Sequence, residues 1–317
     1  VGPWEGWSVT PSSVRELWQY IGSAAFEFGS QTKFAWRGLA DSDFKVISTL
    51  ARELGGESRP LTEASVRQRE MEILQVARNW DIGLSEHGSV TDMHLLAMLQ
   101  HHGAPTRLID ITYNPLTALW FACSDHERMH RPGVLVAMTI SDKDVKLSSE
   151  VPPLTYALSD DPGSAGLVEA MTDSKRTGRN VVVEPRPKDP RMTVQEGAFI
   201  TSYWPDEQQV GPVVGLQYPY LARMMPWVLS KVNNQITSVE GDAGELLSFT
   251  GIIISPRLKR ELLPVLSRTF NRSHRTMYPD LPGFVDAVKN GRLVDEFAAL
   301  RDGAGVGLPD LPRYWEE

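Results

Sequence analysis

The stretch Leu95–Ala122, LLAMLQHHGAPTRLIDITYNPLTALWFA, sets the organisation of the chain. Leu95, Leu96 and Leu99 recur at helical spacing, and Gly103 followed by Pro105 predicts where that helix stops. Gly accepts a left-handed terminus, and a residue before Pro is pushed out of the α region. Thr106–Thr112 then alternates as a short strand, with Ile109 and Ile111 on one side and Leu108 and Asp110 on the other. Asn114-Pro115 opens a second helix, Asn as cap and Pro in the first turn, with Leu116, Leu119, Trp120 and Cys123 as its buried stripe. The polar residues on this frame are Gln100, His101, His102, Thr106, Arg107, Asp110, Thr112 and Asn114. So many hydrogen-bonding groups in so apolar a segment must converge on each other or on a ligand.

Composition bounds what this block belongs to. The 317 residues are 41% hydrophobic and 23% charged, ordinary values for a globular protein with a sizeable core. A formal charge of −8 argues against a bulk basic surface for nucleic acid and leaves room for a local basic groove. The one cysteine, Cys123, sits on an apolar helix face, which excludes a disulfide framework and a cysteine-based zinc site. No apolar run reaches membrane-spanning length and no signal or lipidation pattern is visible, so a cytoplasmic protein without membrane contact is expected.

Upstream, Pro11-Ser12-Ser13 predicts entry to a helix through Phe28, within an N-terminal helical segment, 1–30. Lys33–Arg37 alternates into a strand that Gly38 ends, and Leu61–Trp80 reads as a charged amphipathic helix. Downstream, Gly133–Ile140, Asn180–Glu184, Val194–Tyr203 and Leu247–Ile254 read as strands, and Arg257–Phe270 and Leu281–Lys289 as helices. Residues 141–178 carry Pro, Ser, Asp and Gly throughout, and a mobile insert is expected there. A tail is expected over 291–317. Short strands among scattered helices predict an α+β domain over 31–290.

Gln100–Ala122 and Phe34–Glu53 (FAWRGLADSDFKVISTLARE) resemble the bacterial FRG domain, a family named for an aromatic-Arg-Gly motif. Val194–Thr201 (VQEGAFIT) and Thr276–Gly283 (TMYPDLPG) fit the same pattern, so the resemblance spans most of the chain.

The Trp36–Leu39 strand, WRGL, is also similar, more distantly, to the aromatic-Arg-Gly strand of ADP-ribosyltransferases. That resemblance implies split small sheets with flanking helices, NAD as substrate, no metal, and transfer to a macromolecular acceptor. It further implies a bacterial toxin or anti-phage setting, with an antitoxin or regulator as partner. By the same resemblance Arg37 binds the diphosphate, Thr112 orients the ribose, and Gln195 with Asp110 or Glu196 stabilises the oxocarbenium ion. The chemistry fits these residue types. A guanidinium fork matches phosphate geometry, and a developing cation needs a carboxylate or dipole beside it. Gln195 stands at the motif position and carries no charge, while Glu196 is expected on the opposite strand face. Trp36, Gly38, Thr106, Arg107 and Asn114 are the expected cofactor-binding residues, Gly38 because it lets backbone approach a ligand closely. His102 is expected to hydrogen-bond the substrate or the residues around it.

Plainer readings apply to the same residues. Arg37 serves structure if it pairs with Asp110 or Asp41, and Asn114 serves as a helix cap. His101 and His102 meet the carbonyls of a last helical turn. No carboxylate stands at ligand spacing from His94, His101 and His102, which argues against a metal site. The Arg272-Ser273-His274-Arg275 cluster is of a type that binds phosphate or RNA, and the plainer reading of it is a solvated loop. Two other functions use part of this set. One is a non-catalytic nucleotide or nucleic-acid binding module with Arg37, His102 and Arg107; the other is a metal-independent nuclease with His102 and Arg37.

Overall fold

The computed structural model describes residues 2–26, 33–56, 60–85, 88–140, 145–149, 162–186, 188–206, 211–218 and 249–289. The chain divides into two compact units, Val1–Arg272 and Ser273–Glu317. The expected tail at 291–317 lies outside the described residues.

In the first unit β1 (Ser8–Val9), β2 (Lys33–Leu39), β5 (Ile109–Thr112), β6 (Gly133–Ile140), β7 (Val145–Ser149), β8 (Val181–Arg186), β9 (Gly197–Thr201) and β10 (Phe249–Ile254) share one sheet. Its order is β1-β10-β6-β2-β5-β9-β8-β7. The two outer strands, β1 and β7, pair parallel with their neighbours and all inner pairs are antiparallel. A separate hairpin joins β3 (Leu84–Ser85) and β4 (Gly88–Ser89). Strand β6, GVLVAMTI, is buried along its whole length, as a strand covered on both faces must be apolar throughout. On β8 and β9 the period-2 alternation sends Val182, Ala198 and Ile200 into one core and Val181, Val183 and Phe199 into the other. That second core is closed by Leu74, Leu95, Leu96, Leu167 and Met171 from α3 (Glu63–Asn79), α4 (Asp92–His101) and α6 (Pro162–Thr177).

Helix α5 (Pro115–Cys123) lies against β2 and β6. A Cβ on Gly38 would stand 1.9 Å from the Ala118 carbonyl oxygen, and one on Gly133 2.6 Å from that of Ala122. Gly38 is thus a contact surface for helix backbone. On the far side of α5, α8 (Pro256–Arg268) carries Lys259, fully buried, whose Nζ donates to the carbonyls of Ala40 at 2.6 Å and Arg128 at 3.0 Å. A buried ammonium is held only where such acceptors meet it. It ties the chain beyond β2 to the helix layer.

The structure is mixed α/β, and it alters several expectations. The split small sheets are replaced by one sheet with a narrow seam: β2 pairs with β6 at seven positions but with β5 only at Trp36↔Thr112. The strand expected to stop at Gly38 runs to Leu39. Within 141–178 the described residues form β7 and α6, and Leu167, Ala170 and Met171 of α6 are buried, so these residues belong to the fold; the rest of the expected insert lies outside the described residues. Small and polar residues between the apolar ones of PGSAGLVEAMTDSKRT masked its helical period. The N-terminal segment contributes β1 and buried Trp4 besides the helix α1 (Val14–Phe26). In the second unit a Ser273–Thr276 capping box starts α9 (His274–Met277), and α10 (Leu281–Lys289) follows. Among the described residues no helix is long and apolar enough to cross a membrane.

Two measurements test this packing. Gly38→Ala forces α5 off β2 and lowers the unfolding free energy by roughly 3 kcal/mol in urea titration; wild-type stability would show that the helix can lift freely. Burial also pushes the Cys123 thiol up to about 12. A thiol reagent at about pH 8 should therefore label it only after unfolding. Labelling of the native protein would reveal local opening of α5.

Candidate functional site

Strands β2 and β5 part beside Trp36↔Thr112, and Arg37 fills the gap. Its Nη1 donates to the Asp110 carbonyl at 2.5 Å and lies 3.5 Å from Asp110 Oδ2. The guanidinium supplies a donor to main chain where the ladder has ended. The Arg37 side chain is 24% exposed and that of Asp110 57%, so the pair opens to solvent. Arg37 Nε is buried and has no hydrogen-bond partner among the described residues. An unsatisfied buried donor costs about 1–3 kcal/mol. The network continues inward: Gln100 Nε2 donates to Asp110 Oδ2 at 3.1 Å, Thr106 Oγ1 to Gln100 Oε1 at 2.6 Å, and the Leu108 amide to Thr106 Oγ1 at 3.1 Å. Asp41, the other carboxylate weighed for Arg37, is bound by Arg131 at 3.1 Å.

A second polar group gathers where β5 enters α5. Gln195 ends α7 (Pro190–Val194), and Glu196 follows with φ 50°, both before β9 begins. This corrects their expected place on a strand. Alternation says nothing about a left-handed turn residue, and the Glu196 carboxylate turns toward α5. Thr112 Oγ1 donates to the Gln195 carbonyl at 2.6 Å and accepts the Asn114 amide at 3.0 Å. A hydroxyl has one proton to give. Buried Thr112 therefore fixes this turn, in place of the ribose contact expected of it. Asn114 Oδ1 caps α5 by accepting the Leu116 amide at 2.9 Å, while its Nδ2 donates to Glu196 Oε1 at 2.7 Å. Arg272 Nη2 donates to the same oxygen at 3.2 Å. Arg272 is 18% exposed, so it leaves the solvated loop expected for its cluster and packs at this site. The signal available in the sequence was Asn271 just before it, a residue type that tolerates left-handed backbone and here has φ 53°.

Other candidates are drawn into the interior. Arg107 is 5% exposed: its Nε donates to Glu70 at 2.6 Å and its Nη2 to Glu63 at 3.0 Å, and Nη1 meets the Met171 sulfur at 2.9 Å. Burial pushes the Glu70 carboxyl up, and Arg107 beside it offsets only part of that. Arg107 is therefore a structural ion-pair residue, not a cofactor contact. Trp36 and Thr106 are buried in the same sense, Trp36 beside Phe34 and Thr106 under Gln100. Gly38 meets α5, so the close approach expected of it is to helix backbone and not to a ligand. His102 caps α4 and is exposed, and His101 Nε2 stands 3.2 Å from Asp189 Oδ1. With Arg107 sealed away, the pocket imagined from Arg37, His102 and Arg107 does not assemble. Among the described residues no group of three or more His, Cys, Asp or Glu is placed to hold a metal ion.

The site therefore belongs to a mixed α/β protein with its open polar groups along β2, β5 and the cap of α5. The family model for the FRG domain matches residues 32–131, the stretch holding all three, and supports the FRG family. No curated protein and no solved structure matches the chain.

Arg107→Ala strands Glu70 in the core and should cost about 3–5 kcal/mol in urea unfolding. Arg37→Ala, at the surface, should change stability by less than about 1 kcal/mol. Equal effects from the two would contradict the division between structural and open arginines.

Proposed function

We propose that this protein consumes NAD and transfers its ADP-ribose to a macromolecular acceptor. The observation that carries the reading is Arg37. It is a strand-mounted guanidinium at the surface, engaged through one nitrogen and beside an exposed carboxylate. A diphosphate entering the seam would replace the long Asp110 Oδ2 contact with paired, charge-assisted hydrogen bonds. The rigidity of β2 would fix its orientation without further ordering.

The chemistry needs negative charge beside the ribose. As the bond between nicotinamide and C1′ breaks, its electron pair leaves with nicotinamide and C1′ becomes cationic. The acceptor nucleophile then bonds to C1′ and gives up its proton. Asp110 on β5 and Glu196 just before β9 are exposed carboxylates, and Glu196 offers the charge that Gln195 lacks. Thr112 holds the Gln195–Glu196 turn in place. Exposed His102 is free to meet the acceptor or the leaving group.

The test is a thermal-shift and nicotinamide-release assay with NAD, on wild type and Arg37→Ala in parallel, with cell lysate added to supply an acceptor. NAD should stabilise the wild type, and release should fall at least ~100-fold in the variant, as loss of substrate positioning predicts. Absence of both stabilisation and release in the wild type would remove the reading.

A further inference from the structure

Glu196 is held in an unequal way. Asn114 Nδ2 at 2.7 Å and Arg272 Nη2 at 3.2 Å both donate to Oε1, and nothing among the described residues bonds Oε2. The carboxylate is 47% exposed. One oxygen is anchored and the other is open.

The anchoring differs from an ordinary surface ion pair, which is mobile and contributes little. Arg272 is mostly covered, and its Nε is buried without a hydrogen-bond partner among the described residues. Among the described residues only Asp81, Glu196 and Asn271 are non-glycine residues with left-handed backbone. Two of these three are Glu196 itself and the residue that aims Arg272. The strained backbone at Glu196 is maintained only where the surrounding structure over-determines the geometry, and Asn271 adopts its turn at little cost. Asn114 completes the arrangement, since the same side chain that caps α5 also donates to Glu196.

We propose that Arg272 is a positioning residue: together with Asn114 it clamps Glu196 through Oε1, so that Oε2 alone is presented to a hydroxyl of the bound ligand, here a ribose. The assignment rests on the nucleotide reading above and adds to it a residue outside the family-matched stretch. Arg272 acts through Glu196 and makes no contact of its own with the ligand. Without it the carboxylate can rotate, and a ligand must order it on binding.

The test is a double-mutant cycle on the full chain: wild type, Arg272→Ala, Glu196→Ala and the double variant, with Arg272→Lys as the conservative control. In calorimetric titration with ADP-ribose, Arg272→Ala should weaken binding about tenfold in the wild-type background and less than about twofold when Glu196 is already absent. Arg272→Lys should restore most of the affinity, because it keeps a cationic donor. Equal losses in both backgrounds would overturn the proposal and make Arg272 an independent ligand contact. Urea midpoints of the same variants without ligand give a second readout. Shifts that simply add would also overturn it, whereas coupling would support the clamp. If the urea cycle shows that coupling yet wild type does not bind ADP-ribose, the nucleotide reading fails and the hold of Arg272 on Glu196 stands.

Discussion

Helix α5 rests directly on β2, backbone against backbone, because position 38 has no side chain. The rest of the site follows from that contact. It fixes where the N-terminal end of α5 sits, and so where Asn114 stands relative to β5. It also commits the last residues of β2 to the helix and to β6, so the strand opens toward β5 beyond a single pair.

An open seam leaves polar main chain exposed, and the chain meets this with side chains instead of more ladder. Arg37 takes the Asp110 carbonyl, and Gln100 and Thr106 brace the Asp110 side chain from behind. At the other end of β5, Thr112, Asn114 and Arg272 organise the Gln195–Glu196 turn. The two ends share a plan: a carboxylate about half exposed, an arginine whose buried Nε has no partner among the described residues, and neutral donors that hold the carboxylate in place. Such sites keep their charges at the surface, where an entering ligand can compete for them, while the neutral partners preserve geometry.

Local signals in the sequence were read well. The stop after α4, the Asn-Pro entry to α5 and the buried run of β6 each depend on neighbouring residues, and each stands where the sequence placed it. Depth was harder to read. Alternation assigns a residue to a face but not to the interior, and Arg107 on a short strand looked as available as Arg37. What distinguishes them is Glu63 and Glu70 on α3, whose position is set by tertiary packing. In the aromatic-Arg-Gly motif, Trp36 and Gly38 serve packing and only Arg37 remains open. Glu196 and Arg272 were obscured for another reason: a left-handed turn breaks the alternation used to orient them, and they meet across 76 residues.

The sheet order also bears on what the family-matched stretch can be. Residues 32–131 carry β2 and β5, which join to each other by one pair, whereas their extensive partners β6 and β9 lie downstream. Excised at those limits, the segment would present unsatisfied edges on β2 and β5 and would be prone to self-association. The matched residues 32–131 thus hold only part of the sheet to which their strands belong. They supply the middle of a sheet whose other strands, β1 and β6 through β10, come from chain on both sides of them.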